Sequence, residues 1–126
     1  MSDKYIGKRL RVRITVGSAE RYQGKSLFRA LIKKLEENQI YGATVIRGIG
    51  GFSRRARFHT DRLLSLISNL PVIVEFVDYE ERIHDLLPVF DGMISNGMIT
   101  LEEVEVIFYR NNSDSPARLT GMTDGA

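Results

Sequence analysis

Apolar and polar residues alternate without a break from Arg9 to Val16. Leu10, Val12, Ile14 and Val16 fall on one parity and Arg9, Arg11, Arg13 and Thr15 on the other. A period of two predicts a strand with one apolar face. Gly17 to Gly24 reads as a polar connection. From about Lys25 the period becomes helical, with Leu27, Phe28, Leu31, Ile32 and Leu35 in one stripe and Arg29, Lys33, Lys34, Glu36 and Glu37 off it. The pattern lapses at Asn38-Gln39, which ends the helix. A second strand is predicted through about 42–47, and Pro71 opens a third, Val72 to Val77. Asp78 and Glu81 have capping-box spacing for a second helix with the stripe Ile83, Leu86, Leu87, Phe90 and Ile94. Pro88 removes a backbone donor inside that helix and predicts a kink, and Gly97 suits its exit. Residues 98–109 hold the last strand, with Val104, Val106 and Phe108 alternating against Glu105, Ile107 and Tyr109.

The order strand, helix, strand, strand, helix, strand, joined by right-handed crossovers, predicts an α+β, ferredoxin-like βαββαβ fold. This is an antiparallel four-stranded sheet with two helices on one face. Residues 1–110 read as a single domain containing a long loop, 48–70, and residues 111–126 as a flexible polar tail. A connection as long as 48–70 is usually functional or disordered, and the apolar residues in Asp61-Arg-Leu-Leu-Ser-Leu-Ile-Ser-Asn argue that its base packs down. Strands two to four carry apolar residues on both parities, and Ile46 and Val74 are assigned to the face the helices leave bare. Soluble monomers avoid large apolar patches, so this predicts association of several copies through their sheets. The alternative is that scattered apolar exposure is simply tolerated.

Composition narrows the classes. The chain has 126 residues, 43% apolar and 27% charged, enough for one core. A net charge of +2 is too small to imply a nucleic-acid binder. Arginine dominates the basic residues, favouring planar, bidentate anion contacts. With no cysteine there is no disulfide, thiolate nucleophile or cysteine metal site. No apolar run approaches the ~20 residues of a membrane span, and the N-terminus lacks the apolar core of a signal peptide. A cytoplasmic protein is expected.

Candidate chemistry concentrates in residues 42–60. The run Thr44-Val45-Ile46-Arg47 feeds glycines at 48, 50 and 51, then arginines at 54, 55 and 57, His59 and Thr60. Glycine permits close backbone approach, successive N–H groups in such turns form anion nests, and arginines supply charge-assisted forks. The pattern fits an anion site, and it equally fits a solvated turn with surface charge. Two rivals share these residues. An enzyme would use His59 as phosphoryl acceptor or general base, with Ser53, Thr60 and Asp61 nearby, but no base–orienter pair is identifiable. An RNA-binding module would use Phe52, Phe58 and the arginines, yet RNA-recognition sheets carry their aromatics on central strands, so no nucleic acid is expected. His59 and His84 make no metal-ligand cluster, and Glu80, Glu81 and Asp85 read as a solvated helix face. No catalytic residue and no metal site is assigned.

Several pieces at fixed spacing carry a resemblance: Gly24-Lys25-Ser26-Leu27-Phe28, Tyr41-Gly-Ala-Thr-Val-Ile-Arg-Gly-Ile-Gly-Gly-Phe, His59, Leu70-Pro-Val-Ile-Val-Glu-Phe-Val-Asp, and Gly97-Met-Ile-Thr-Leu-Glu-Glu-Val-Glu-Val. Over roughly residues 9–110 the chain resembles the PII-like proteins of formerly unknown function, within the nitrogen-regulatory PII superfamily. The resemblance implies a homotrimer that binds an adenine nucleotide between subunits and signals through loop 48–70 to a partner protein, such as a membrane transporter or an enzyme. It implies no obligatory cofactor; the nucleotide is an effector. Ser95-Asn-Gly-Met-Ile-Thr lacks the glycine- and lysine-rich phosphate loop of true PII proteins, and loop 48–70 lacks their modified tyrosine. ADP or AMP is therefore favoured over ATP. The expected ligand contacts are Arg47, the backbone of Gly50, Gly51 and Phe52, the phosphate-pairing Arg54 and Arg55, and secondarily His59 and Thr60.

Overall fold

The computed structural model describes residues 5–51 and 69–111. The central part of loop 48–70 and the tail beyond residue 111 lie outside the described residues. Along the chain come β1 (Gly7–Gly17), β2 (Arg21–Tyr22), β3 (Lys25–Ser26), α1 (Leu27–Glu37), β4 (Ala43–Arg47), β5 (Pro71–Asp78), α2 (Glu80–Met93) and β6 (Met98–Val106). The main sheet has the order β4-β5-β1-β6, with every neighbouring pair antiparallel. This is the α+β ferredoxin-like arrangement, with a hairpin inserted between β1 and α1.

Alternation in β1 and β5 decides the layering. In the β1–β5 register Val12 faces Phe76, Ile14 faces Val74 and Val16 faces Val72. All six are buried, and they pack with Leu27, Leu31 and Leu35 of α1 and with Ile83, Leu86, Phe90 and Met93 of α2. Phe76 and Phe90 meet edge-to-face at 6.2 Å, a favoured aromatic geometry. Both helices therefore close one face of the sheet. Val74, assigned from sequence to the opposite face, is fully buried beneath the helices. An unbroken apolar run such as Val72-Ile-Val conceals which parity faces inward; only pairing with β1 settles it.

The bare face is also less apolar than its strand compositions imply. Its centre carries two cross-strand ion pairs, Arg11–Glu102 and Arg13–Glu75, the latter at 2.7 Å. Among its apolar members, Ile46 and Met98 are the exposed ones.

Other local departures have clear causes. A β2–β3 hairpin spans the end of the polar connection and takes Lys25 and Ser26, where the helical period is expected to begin; its central residues Gln23 and Gly24 both have positive φ. That is the type I′ requirement, and its twist matches paired strands. At the exit of α1, Gln39 has φ +58°, the Gln39 N–H bonds the Glu36 carbonyl, and the Ile40 N–H bonds the Leu35 carbonyl. These two bonds make a Schellman stop. The capping box expected at Asp78 and Glu81 is not formed. Asp78 ends β5 fully buried, and its Oδ1 accepts from the Tyr79 N–H (2.7 Å) and from Arg82 Nε (2.9 Å). Arg82 also donates to the carbonyls of Asn38 and Gln39, tying the end of α1 to the start of α2. The last strand ends at Val106, short of the predicted 109.

One end of the sheet collects tyrosines. Tyr5 stacks on Tyr41 (4.1 Å) and meets Tyr109 edge-on (4.7 Å), while Arg9 lies 3.8 Å over the Tyr79 ring. The Tyr5 hydroxyl donates to the Val77 carbonyl. Burial, with the Asp78 carboxylate second, pushes the Tyr5 phenol up to about 12 from 10.0. A folded-state pKa above the unfolded one means that the folded protein holds this proton more tightly. The contribution is complete below pH 10 and is lost as pH rises towards 12. Urea titrations should show a steepening loss of stability in that window. Tyr5→Phe should cost about 1 kcal/mol at neutral pH through the lost hydrogen bond and should remove most of the alkaline steepening.

Candidate functional site

The opposite end of the sheet holds the glycine-rich exit of β4. Three elements are clamped together there by short backbone bonds. The Gly48 N–H donates to the Pro71 carbonyl at 2.8 Å, closing the two ends of loop 48–70 onto each other. The Ser18 N–H donates to the Leu70 carbonyl (2.7 Å), and the Leu70 N–H donates back to Ser18 Oγ (2.9 Å). Asn69 Oδ1 accepts from the Ala19 N–H at 3.1 Å. The end of β1 thus serves as a fixed abutment for the loop's return.

Two glycines make this approach possible. A Cβ on Gly48 would stand 2.7 Å from Pro71 Cγ and 3.3 Å from its carbonyl oxygen. At Gly97, just before β6, it would stand 2.8 Å from the Thr15 carbonyl oxygen and 2.9 Å from Val16 Cγ1. At Gly97 the close atom is backbone and leaves no room for a side chain; at Gly48 it is the proline ring, which would have to shift. Gly51 differs: its φ of +156° is the constraint, and a Cβ on Gly50 would meet nothing within 4 Å among the described residues.

Of the residues expected to contact a ligand, the structure places Arg47, Gly50 and Gly51 together at this end. Phe52, Arg54, Arg55, His59 and Thr60 lie outside the described residues. Arg47 ends β4 on the helix-covered side, and its guanidinium lies 5.6 Å from the centre of the Phe28 ring in the first turn of α1. Arg29 approaches the same ring, also at 5.6 Å. From sequence, Phe28 belongs to the core stripe and to the motif that opens α1, and Arg29 is given to solvent. Helical spacing cannot show that the edge strand β4 ends beside this turn. His84 stands 3.6 Å from Glu80 on the exposed face of α2, away from the glycine end.

The charge at this end suits an anion. The first turn of α1 contains no acidic residue, unlike that of α2, which carries Glu80 and Glu81, so the positive end of its dipole is not offset locally. A cavity of about 260 Å³ at the tyrosine end of the sheet differs in character. Lys8 and Arg9 line it together with Glu80, Glu103 and Glu105. Three carboxylates there disfavour a phosphate. Among the described residues, no helix is long and apolar enough to cross a membrane.

The family model of DUF190, described as "Uncharacterized ACR, COG1993", matches residues 9–106. A UPF0166 protein of Aquifex aeolicus (strain VF5) is 39% identical over 103 residues, covering 82% of this chain and 97% of that protein. A UPF0166 protein of Methanocaldococcus jannaschii is 33% identical over 96 residues, covering 75% and 88%. Among solved structures, a protein of Thermus thermophilus described as PII-like superposes with a TM-score of 0.58 at 17% identity, covering 82% of this chain and 93% of that one. CPII, a nitrogen regulatory PII-like protein from Thiomonas intermedia K12 bound to ADP, AMP and bicarbonate, gives 0.55 at 13% identity, covering 79% and 88%.

The glycine contacts yield a paired expectation. Gly97→Ala should destabilise the protein by about 1–3 kcal/mol, because a methyl group pressed on the Thr15 carbonyl forces the backbone apart. Gly92→Ala, inside α2 with nothing within 4 Å of the added carbon among the described residues, should stabilise by about 0.4–1 kcal/mol. Chemical denaturation of the two variants checks both signs.

Proposed function

The chain belongs to the DUF190 family and has the PII-like fold, and from that premise we propose that it is a non-catalytic regulatory protein that senses an adenine nucleotide. ADP or AMP is preferred to ATP, because Ser95-Asn96-Gly97 offers neither the glycines nor the lysine of a triphosphate loop. The observation that carries the reading is the clamp at the sheet end. There the Gly48–Pro71 bond holds the mouth of loop 48–70, with Arg47 and the glycines beside it. The binding of ADP and AMP by a protein of the same fold supports the same choice of ligand. Arg54 and Arg55 pair with the phosphates, Gly50, Gly51 and Phe52 offer backbone, and His59 and Thr60 make secondary contacts. Loop 48–70 passes the ligand state to a protein partner, a transporter or an enzyme, and a cytoplasmic location goes with that role.

The nucleotide lies between subunits of a homotrimer in this reading. Both edge strands support assembly. β4 is exposed along its whole length, and β6 pairs on one side only, with β1. Edges of this kind recruit other strands unless they are covered.

Three measurements test the reading. Calorimetry should show ADP and AMP binding more tightly than ATP, and Arg54→Ala or Arg55→Ala, each alone, should weaken ADP by roughly one to two decades, the equivalent of about 1.5–3 kcal/mol for a charge-assisted hydrogen bond. Equal affinity in wild type and variant would move the arginines to partner recognition. Steady nucleotide hydrolysis abolished by His59→Ala would make the protein an enzyme. Separately, sedimentation should give a trimer at micromolar concentration, and Ile46→Asp should dissociate it. A monomeric wild type would refute the assembly.

A further inference from the structure

Phe28 is a half-buried ring packed against the core, and it carries a guanidinium on each of two approaches: Arg29 from its own helix and Arg47 from the end of β4. Each cation is attracted to the ring's negative face, but the two repel each other. Three arginines in this fold are balanced by carboxylates: Arg11 by Glu102, Arg13 by Glu75 and Arg82 by Asp78. Among the described residues neither Arg29 nor Arg47 has a carboxylate within 4.0 Å. They also stand beside the first turn of α1, which has no acidic residue of its own. The N-cap residue Ser26 makes no side-chain capping bond, and its buried Oγ lacks a partner among the described residues. Two features of one corner therefore favour negative charge there: the two arginines without a carboxylate and the acid-free first turn of α1.

We propose that Arg29 and Arg47, spaced by Phe28, form a phosphoryl-binding subsite at the start of α1. The inference rests on the nucleotide reading for its natural ligand but not for its chemistry. Contact with the ring restricts both arginine side chains, which reduces the freedom they lose on meeting a phosphoryl group. Arg29 is a binding residue that neither helical periodicity nor the glycine motif marks. Phe28 is a positioning residue, acting through the two arginines.

The test uses the full-length protein and four probes, ADP, AMP, adenosine and inorganic phosphate, by calorimetry. Arg29→Ala should weaken ADP by about tenfold to a hundredfold and leave adenosine unchanged. Arg29→Lys should recover only part, since it restores the charge without the fork. Phe28→Leu keeps an apolar side chain of similar role in the core but removes the ring, and it should weaken ADP while sparing adenosine. Thermal melts verify that each variant is folded. Phosphate binding that depends on Arg29, in a protein that binds no adenine nucleotide, would uphold the subsite and refute the nucleotide reading. Nucleotide binding with unchanged ADP and phosphate affinity in Arg29→Ala would do the reverse. Binding of neither ADP nor phosphate by the wild type would overturn both.

Discussion

Everything in this molecule hangs on the pairing of β1 with β5. Eight consecutive residue pairs, from Leu10↔Asp78 to Gly17↔Pro71, set the register. Because side chains in a strand have a period of two, that register simultaneously buries Val12, Ile14, Val16, Val72, Val74 and Phe76 and turns Arg11, Arg13 and Glu75 outward. A slip of one residue would place arginines under the helices and valines in water. The ion pairs on the outer face, Arg13–Glu75 and Arg11–Glu102, are exposed and contribute little energy individually. Their effect is on choice: they join only when the three strands are in this alignment.

The same pairing delivers Gly17 and Pro71 to one end of the sheet as partners. From there the loop clamp follows with little freedom. Ser18 and Asn69 sit just beyond the ladder and complete its hydrogen bonding with side-chain oxygens. Gly48 reaches the Pro71 carbonyl because β4 lies alongside β5 and ends just there. The candidate site is therefore a by-product of how the ladder terminates, and among the described residues it is defined by backbone glycines and a proline.

Much of this is legible in the chain. β1 declares itself because charged residues fill its second parity, and α1 because its stripe is clean. β5 is recognisable as a strand from Val72-Ile-Val-Glu-Phe-Val, but its orientation is not, since both parities are apolar; for that reason the sequence pattern puts Val74 on the wrong face. The β2–β3 hairpin escapes because a two-residue strand has no period to read, and Gln-Gly is a less familiar I′ pair than Asn-Gly. Asp78 has the spacing of a capping residue, yet Arg82 one turn later competes for the same oxygen. At the site, Arg47 and the glycines stand out from local motif alone. Arg29 does not, because its significance depends on β4 ending beside α1, a contact that helical spacing cannot express. Phe52, Arg54, Arg55, His59 and Thr60 lie outside the described residues, so their roles rest on the loop's own chemistry.

The segregation of aromatic residues has an optical consequence. The chain contains no tryptophan and five tyrosines. Tyr5, Tyr41, Tyr79 and Tyr109 sit at the end of the sheet remote from the glycines, three of them in mutual contact. Tyr22 stands apart from them, in the β2–β3 hairpin that follows the Gly17 end of β1. Four of the five phenols that absorb in the near ultraviolet therefore stand at the end remote from the candidate site. A signal that changes when a ligand binds reports either Tyr22 directly or a rearrangement carried the full length of the strands, and substituting that single phenol separates the two.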